Sequence, residues 1–266
     1  MTEVADKLRN IVLAGHSSAG KTSLAEAVLF NADVITRLGR VEDGNTAMDF
    51  EPEELKRNAS ISSGFHQYQW EKHTISLIDT PGDQNFFTDT KICMQAADSA
   101  VIVVDAVDGV RFQTEQAWEF AEKYNLSCMI VLNKLDREHV DFSRACQDTV
   151  DSFKPKPIIL QVPVGKEENF NGIVDLIAMK AFAYAENGTA RKIDIPADME
   201  KLVQTERETL VENIAEADDQ LLERYLEGES LSDDEIRTSL KNSILNRAIV
   251  PVLCGSATKN IGMDLI

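Results

Sequence analysis

NIVLAGHSSAGKT, residues 10–22, combines three local patterns in one short segment. The first five residues are an apolar run typical of a buried strand, and the glycine-bounded turn after them fits the phosphate-loop pattern GxxxxGK(S/T). Apolar residues at helical spacing then predict a helix over Lys21–Asn31. Such a turn points several backbone N–H groups at one anion. We therefore assign phosphate binding to Gly15, His16, Ser17, Ser18, Ala19, Gly20, Lys21, Thr22 and Ser23.

A second motif, DTPG, begins at Asp79, the last residue of the strand-like run TISLID. In a phosphate-loop protein, the Lys21 ammonium lies beside the β- and γ-phosphates and the Thr22 hydroxyl is a ligand of Mg²⁺. We expect Asp79 to hold a water molecule of the Mg²⁺ shell, and the Gly82 N–H to meet the γ-phosphate. The two motifs together predict a nucleoside triphosphate bound with magnesium.

A third motif, NKLD, identifies the base. The carboxylate of Asp136 can accept two hydrogen bonds, from N1–H and the exocyclic amine of guanine, whereas adenine lacks that amine. Asn133 is expected to tie this loop to the phosphate loop, and the Lys134 stem to cover the ring. The segment GSA, formed by Gly255, Ser256 and Ala257, is expected to offer the Ala257 N–H to the guanine O6. The predicted ligands are GTP and GDP.

Apolar runs alternate with helix-like segments, which predicts an α/β protein of the P-loop GTPase fold, a mostly parallel sheet with helices on both faces. Pro251 lies within the last run and indicates an edge or bulged strand. Residues 36–60 are polar and aperiodic, which predicts a mobile loop. The strands are predicted at residues 10–14, 65–70, 74–79, 99–105, 128–133 and 249–254.

The composition changes within the second half of the chain. Residues 198–235 hold fourteen acidic and three basic residues, and Ser232 with Glu235 predicts a capping box at the start of a helix. We divide the chain into a GTP-binding domain at 1–156, an inserted α+β subdomain at 157–247, and the last strand and guanine loop at 248–266. A helical apolar stripe is predicted at Leu202, Leu210, Val211, Ile214, Leu221 and Leu222.

The net charge of −18 disfavours binding to DNA or other nucleic acid by this chain alone, because its surface repels phosphates. The amino-terminal residues lack the apolar centre of a signal peptide, and no uncharged apolar run reaches membrane-spanning length. We expect a cytoplasmic monomer with no membrane contact. The cysteines show no CxxC spacing and are expected to be reduced and buried: Cys93, Cys128, Cys146 and Cys254.

With these motifs in place, the chain resembles the translational GTPases, most closely the nucleotide-binding domain of bacterial elongation factor G. The likeness runs over residues 9–266. Four segments carry it: GRVEDGNTAMDF (39–50), FNGIVDLIAMKAFAY (170–184), LLERYLEGESLSDDEI (221–236) and VLCGSATKNIGMDLI (252–266). That family has four more domains, so we expect this chain to be one part of a longer protein.

The resemblance implies GTP-driven translocation of tRNA and mRNA on the ribosome. It also implies that the insert contacts the ribosomal stalk protein. Glu212, Glu216 and Asp219 match the residues of that contact, and their i, i+4, i+7 spacing predicts one acidic helix face. A solvated acidic face without a partner is the alternative interpretation.

Several residues near the γ-phosphate depart from the family pattern. Ser60 stands where the family has the threonine that binds Mg²⁺, and it keeps the hydroxyl. Asp83 stands where the family has a histidine that orients the attacking water. Ser17 and Ala59 replace apolar residues, Ser18 an aspartate and Asn58 a glycine.

These departures imply a divergent, second type of elongation factor G. Its catalytic candidates are Asp83, Lys21 and Gly82, and its metal-binding candidates are Thr22, Ser60 and Asp79. We expect nucleotide binding to be intact and GTP hydrolysis to be weak. Two alternatives stay open: a ribosomal GTPase of the release-factor or tetracycline-protection type, and a GTP-binding switch with little hydrolysis.

Overall fold

A seven-stranded sheet forms the centre of the molecule, with the strand order β2-β3-β1-β4-β5-β11-β6. The computed structural model describes residues 7–229 and 231–266, without the side chain of Asp219. Within the sheet, β2 is antiparallel to β3, and the other neighbours are parallel. The strands are β1 (Leu8–Ala14), β2 (Gly64–Trp70), β3 (His73–Asp79), β4 (Ser99–Asp105), β5 (Ser127–Asn133), β6 (Pro157–Ile159) and β11 (Val250–Cys254).

Helices cover both faces of this sheet, as predicted. Along β1 the side chains alternate: Val12 and Ala14 face one layer, and Leu13 faces the other. The layer on the Val12 side contains α3 and α4, and the layer on the Leu13 side contains α1. The helices are α1 (Lys21–Asn31), α2 (Pro52–Arg57), α3 (Phe87–Gln95), α4 (Phe112–Lys123), α5 (Phe142–Ser152), α6 (Glu200–Glu216), α7 (Asp219–Leu226) and α8 (Asp233–Leu245).

The predicted strands are confirmed, with ends that differ by at most two residues. The edge position predicted for the last strand is wrong, because β11 lies between β5 and β6. Pro251 is tolerated there because the pairing of β11 with β5 starts only at Val252, one residue later. A proline has no N–H to donate, and Pro251 precedes the ladder with β5, whereas on the other side it is in register with Ile158 of β6.

The segment 36–60 is not a loop throughout, since it contains α2. The residues at the N-terminal end of this helix stabilise it, and its sequence shows no apolar periodicity. Pro52 lies in its first turn, and Glu51 and Glu54 form a reciprocal capping box. A helix of six residues is too short for apolar periodicity to reveal it.

The insert is built on a second, antiparallel sheet with the order β10-β9-β8-β7, covered by α6 and α8. Its strands are β7 (Gln161–Val164), β8 (Gly172–Asp175), β9 (Lys180–Tyr184) and β10 (Ala190–Ile193). The predicted boundary at residue 157 therefore places β6, a strand of the main sheet, with the insert.

The predicted apolar stripe of the insert needs one correction. Leu202 is 49% exposed, and its neighbour Val203 is buried instead, together with Leu210 and Ile214. The helix α6 is rotated so that Val203, seven residues before Leu210, faces the sheet. The capping box of Ser232 and Glu235 at the start of α8 is confirmed.

The expectation for the cysteines holds only in part. All four are free thiols, but Cys128 and Cys146 are only half-buried, whereas Cys93 and Cys254 are buried. Among the described residues, no helix combines the length and the apolar character needed to cross a membrane.

Candidate guanine nucleotide site

All the predicted nucleotide motifs meet at one edge of the main sheet. The phosphate loop follows β1, DTPG follows β3, NKLD starts at the end of β5, and GSA follows β11. These strands are parallel, so their carboxyl ends lie on the same edge, where open α/β sheets bind ligands.

Two glycines allow the motifs to approach each other closely. A Cβ atom at Gly20, whose φ is +92°, would lie 2.3 Å from Nδ2 of Asn133. A Cβ atom at Gly82 would lie 2.4 Å from Nζ of Lys21 and 2.6 Å from N of Ser17. Any side chain at these two positions would separate the phosphate loop from NKLD or from DTPG.

Lys21 is buried beneath the phosphate loop, where its Nζ donates to the His16 carbonyl at 2.9 Å. Burial lowers the pKa of this ammonium to about 8, against the opposing effect of Asp79 and Asp49. A phosphate group beside Nζ would stabilise the charged form. Asp79 and Asp49 therefore do not fully offset the cost of burying the positive charge of Lys21.

A cluster of hydroxyl and carboxylate oxygens lies next to Lys21. The Thr22 hydroxyl donates to Asp79 Oδ2 at 2.6 Å and lies 3.1 Å from the Ser60 hydroxyl. Ser60 in turn donates to Asp49 Oδ1 at 2.7 Å. The structure thus brings the three predicted metal-binding residues together and adds Asp49, which sequence reasoning did not single out although it lies within GRVEDGNTAMDF.

The chemistry of this cluster fits a magnesium ion. Mg²⁺ prefers oxygen ligands and keeps several waters, which nearby carboxylates hold. Asp79 Oδ1 is buried and has no hydrogen-bond partner in the described part of the chain. Burial raises the pKa of this carboxyl to about 7, with Lys21 acting in the opposite direction. A bound cation would favour the ionised form.

Asn133 ties the base loop to its neighbours, as predicted. Its Nδ2 donates to the Ala19 carbonyl at 3.0 Å, and its Oδ1 accepts from the Ala257 N–H at 3.0 Å. This second bond differs from the prediction, which required a free Ala257 N–H for the guanine O6. The side-chain carbonyl of Asn133 is the competing acceptor, so the N–H must be shared or released for that contact.

Two further residues of NKLD, Lys134 and Asp136, are the ones that the sequence assigns to the guanine base. The Lys134 stem passes Gly20, and its Nζ forms an ion pair with Asp105 Oδ2 at 2.7 Å. Asp105, at the end of β4, is a further residue that sequence reasoning missed. Asp136 Oδ1 is buried without a hydrogen-bond partner among the described residues. Such an oxygen needs a donor, and guanine carries two.

Asp83 directly follows Gly82 but has a local structural role. Its Oδ1 accepts from the Asn85 backbone N–H at 2.8 Å and from Asn85 Nδ2 at 2.9 Å. It thereby caps a short 3₁₀ helix, residues Gln84–Phe86. Of the other departures near the γ-phosphate, Ser17 is exposed and Ala59 is half-buried.

His16 lies on the side of the phosphate loop that faces α4. Its Nδ1 is 3.3 Å from the Thr114 hydroxyl, and its Nε2 has no hydrogen-bond partner within the described ranges. Asp105 and Asp108 lie close to it. However, Asp105 is paired with Lys134, and Asp108 with Arg111 at 2.7 Å, so the charge of both carboxylates is already compensated.

The predicted acidic face of the insert does not lie on one helix. Glu212 and Glu216 are exposed on α6, which ends at Glu216. Asp219 belongs to the next helix, because Asp218 caps the start of α7 through the N–H groups of Gln220 and Leu221. The side chain of Asp219 lies outside the described part of the structure.

Comparisons with known proteins show which family the chain belongs to. The family model described as the elongation factor Tu GTP binding domain matches residues 6–266. Elongation factor G of Thermotoga sp. strain RQ2 and that of Thermotoga maritima are each 38% identical over 261 residues, which is 97% of this chain. The chain spans 38% of the length of these relatives. A crystal structure from Thermus thermophilus superposes with a TM-score of 0.89 at 32% identity, over 96% of this chain and 38% of that one.

Proposed function

This chain belongs to the family of the elongation factor Tu GTP-binding domain, as an elongation factor G-like member, and we propose that it binds Mg²⁺·GTP and hydrolyses it on the ribosome. In this proposal it is the nucleotide-dependent part of a cytoplasmic translocation factor. Relatives named elongation factor G support the role in translation.

The observation that carries the proposal is a pair of buried carboxylate oxygens, Asp79 Oδ1 and Asp136 Oδ1, that have no hydrogen-bond partner among the residues that the structure describes. An unsatisfied buried polar group costs about 1–3 kcal/mol, and more when it is charged. One oxygen lies in the hydroxyl cluster and the other in the base loop. A guanine nucleotide with its magnesium ion satisfies both, because it supplies a hydrated cation at one end and two N–H donors at the other.

In this reaction the protein binds and orients the substrate. The phosphate-loop amides and Lys21 would hold the phosphates, Thr22 and Ser60 would hold the metal through their hydroxyls, and the Gly82 N–H would meet the γ-phosphate. Bound Mg²⁺ supplies neutralisation of charge that develops on the phosphates. The residue expected to orient water is Asp83, which also keeps its capping contact with Asn85.

One observation favours a second candidate, a nucleotide switch with little hydrolysis. The only predicted water-orienting group is an anion, Asp83, and both hydrogen bonds of its carboxylate go to Asn85. A carboxylate beside the γ-phosphate repels it unless ribosomal groups compensate the charge. We therefore propose weak intrinsic hydrolysis, with nucleotide binding retained.

For the partner, we propose that the ribosomal stalk protein contacts the exposed carboxylates Glu212 and Glu216 on α6. A basic partner surface is complementary to this strongly acidic chain, whose net charge is −18. We propose that the protein acts as a monomer.

Calorimetry with Mg²⁺ and single-turnover cleavage of labelled GTP test these proposals together. We expect binding of GDP and of a non-hydrolysable GTP analogue, no binding of ATP, and slow cleavage that ribosomes accelerate. Ribosomes stripped of the stalk protein should accelerate it less. Equal affinity for ATP and GTP would exclude the guanine site, and ribosome-independent cleavage at the stimulated rate would exclude the translational role.

A further inference from the structure

A single buried carboxylate, that of Glu54, closes the segment 50–62. Glu54 is 1% exposed, although it lies on α2, a short surface helix. Its Oε2 accepts the N–H groups of Phe50 and Glu51 at 3.1 and 3.0 Å. Its Oε1 accepts the N–H groups of Ile61 and Ser62, each at 2.9 Å. One side chain therefore joins both ends of the segment through four backbone donors.

These contacts exceed what helix capping requires. In a capping box, the glutamate of the first turn reaches back to the N-terminal backbone N–H, which uses one carboxylate oxygen. Here Oε2 makes that bond to Glu51, and Oε1 is directed to residues beyond the end of the helix. The second pair of bonds encloses α2 and the residues that follow it, including Ser60.

Ser60 is the point at which this closed segment touches the nucleotide site. Its hydroxyl donates to Asp49 and lies 3.1 Å from the Thr22 hydroxyl. Ile61, the next residue, is held by Glu54. If Ile61 and Ser62 leave Glu54, the backbone after Ser60 loses this anchor, and the bond from the Ala59 N–H to the Glu54 carbonyl still holds the residue before it.

The neighbouring segments are held by other carboxylates, on helices that flank the site. Glu26 of α1 accepts the Ala47 N–H at 2.6 Å, and Asp89 of α3 accepts both the N–H and the hydroxyl of Ser63. Residues 50–62 thus lie between two fixed points. They can move away from Thr22 either as one body with Glu54 closed, or by opening the Glu54 contacts.

We propose that Glu54 is a positioning residue that holds the Ser60 hydroxyl beside Thr22 in the GTP-bound state. This inference rests on the function proposed above. Glu54 touches neither substrate nor metal and acts through Ser60. Its loss lowers the population of the closed segment, so that a ligand requiring closure binds more weakly in proportion, whereas GDP, which lacks the γ-phosphate, depends less on it.

The variant Glu54→Gln tests this, because the amide keeps one acceptor oxygen and replaces the other with an NH₂ group that opposes two backbone N–H groups. With Mg²⁺ present, we expect calorimetry to show an affinity about tenfold weaker for a non-hydrolysable GTP analogue and an unchanged affinity for GDP. Hydrogen exchange at residues 50–62 should become faster. Glu53→Gln is the matched control, since Glu53 is exposed and pairs with the surface residue Lys56; it should behave as the wild type.

A double-mutant cycle with Ser60→Ala separates positioning from general stability. If Glu54 acts through Ser60, adding Glu54→Gln to Ser60→Ala costs little further analogue affinity. Equal losses for the analogue and GDP, additive losses in the cycle, or no loss in Glu54→Gln would each overturn the proposal. If Glu54→Gln does not fold, Glu54→Asp, which keeps the charge and shortens the reach, provides the same comparison. A wild-type chain that binds neither nucleotide would refute the proposed function itself.

Discussion

The two halves of the proposed site, one for the base and one for the phosphates, are held together in different ways. On the base side, the buried amide of Asn133 bonds to the backbone of both the phosphate loop and the guanine loop, and Lys134 pairs with Asp105. On the γ-phosphate side, Ser60 reaches Thr22 and Asp49 from a surface segment through hydroxyl and carboxylate contacts alone. The base side is therefore preformed on sheet ends, and the γ-phosphate side depends on a segment that can open.

The sequence departs from the family pattern on the same side. NKLD and GSA match the pattern in full, whereas Ser17, Ala59 and Asp83 replace family residues near the γ-phosphate. Changes on the base side would disturb contacts between sheet ends. Changes on the γ-phosphate side alter exposed or half-buried positions, where the fold tolerates them.

The largest effect is expected on the base side, from Asp136→Asn. The amide presents a donor where guanine also presents donors, and it removes a charged acceptor that has no partner within residues 7–229 and 231–266. We expect a loss of about 3 kcal/mol, or roughly a hundredfold, in GDP affinity, together with a gain in affinity for xanthosine diphosphate. Calorimetry with both nucleotides measures this.

Glu138→Gln is the matched control, because it removes a carboxylate from an exposed position two residues away. It should leave GDP affinity unchanged. Unaltered GDP binding by Asp136→Asn would show that the base lies elsewhere and that the two halves do not divide as described.

The second effect is expected on the γ-phosphate side, from Asp83→His. A neutral imidazole can orient water without repelling the phosphate oxygens, whereas a carboxylate places negative charge beside them. We expect the ribosome-stimulated single-turnover rate to rise by about tenfold, with nucleotide affinity unchanged.

Gln84→His places the same imidazole one residue later, at an exposed position, and should not raise the rate. Two results together would assign a catalytic role to Asp83 itself. Wild type would cleave GTP on ribosomes as fast as a histidine-bearing homologue, and Asp83→Ala would abolish cleavage.

Sequence reasoning predicted the sheet and the motif positions because both depend on local signals. Apolar runs mark buried strands, and the phosphate-binding motifs require specific residues at fixed spacing. The roles of Asp49, Glu54 and Asp105 could not be read in this way. Each is a carboxylate in an acidic chain, and only the folded structure shows that these three are buried.

The errors have a similar origin. The place of β11 inside the sheet depends on β6, a strand of three residues with no periodic signal. The division of the acidic face between α6 and α7 depends on a cap at Asp218, within a run of acidic residues that looks uniform. Short elements and caps are set by tertiary contacts and single hydrogen bonds, to which composition and periodicity are insensitive.

The smallest effect concerns His16, in the phosphate loop that joins the two halves. Burial, aided by the positive charge of Lys21, lowers the pKa of this imidazole from 6.5 to about 4. The folded chain therefore keeps His16 neutral, while the unfolded chain takes up a proton below about pH 6.5. Lowering the pH from about 6.5 towards 4 therefore favours unfolding. At pH 5.5, His16 alone lowers the free energy of unfolding by about 1 kcal/mol.

Urea unfolding at pH 7 and 5.5 should show a smaller acid-induced loss of stability for His16→Asn than for wild type. His139→Asn, at an exposed site, should retain the wild-type loss. An identical loss in His16→Asn and wild type, or an NMR titration of His16 near pH 6.5, would mean that the loop admits water and charge, and that the junction between the halves is less tightly packed than described.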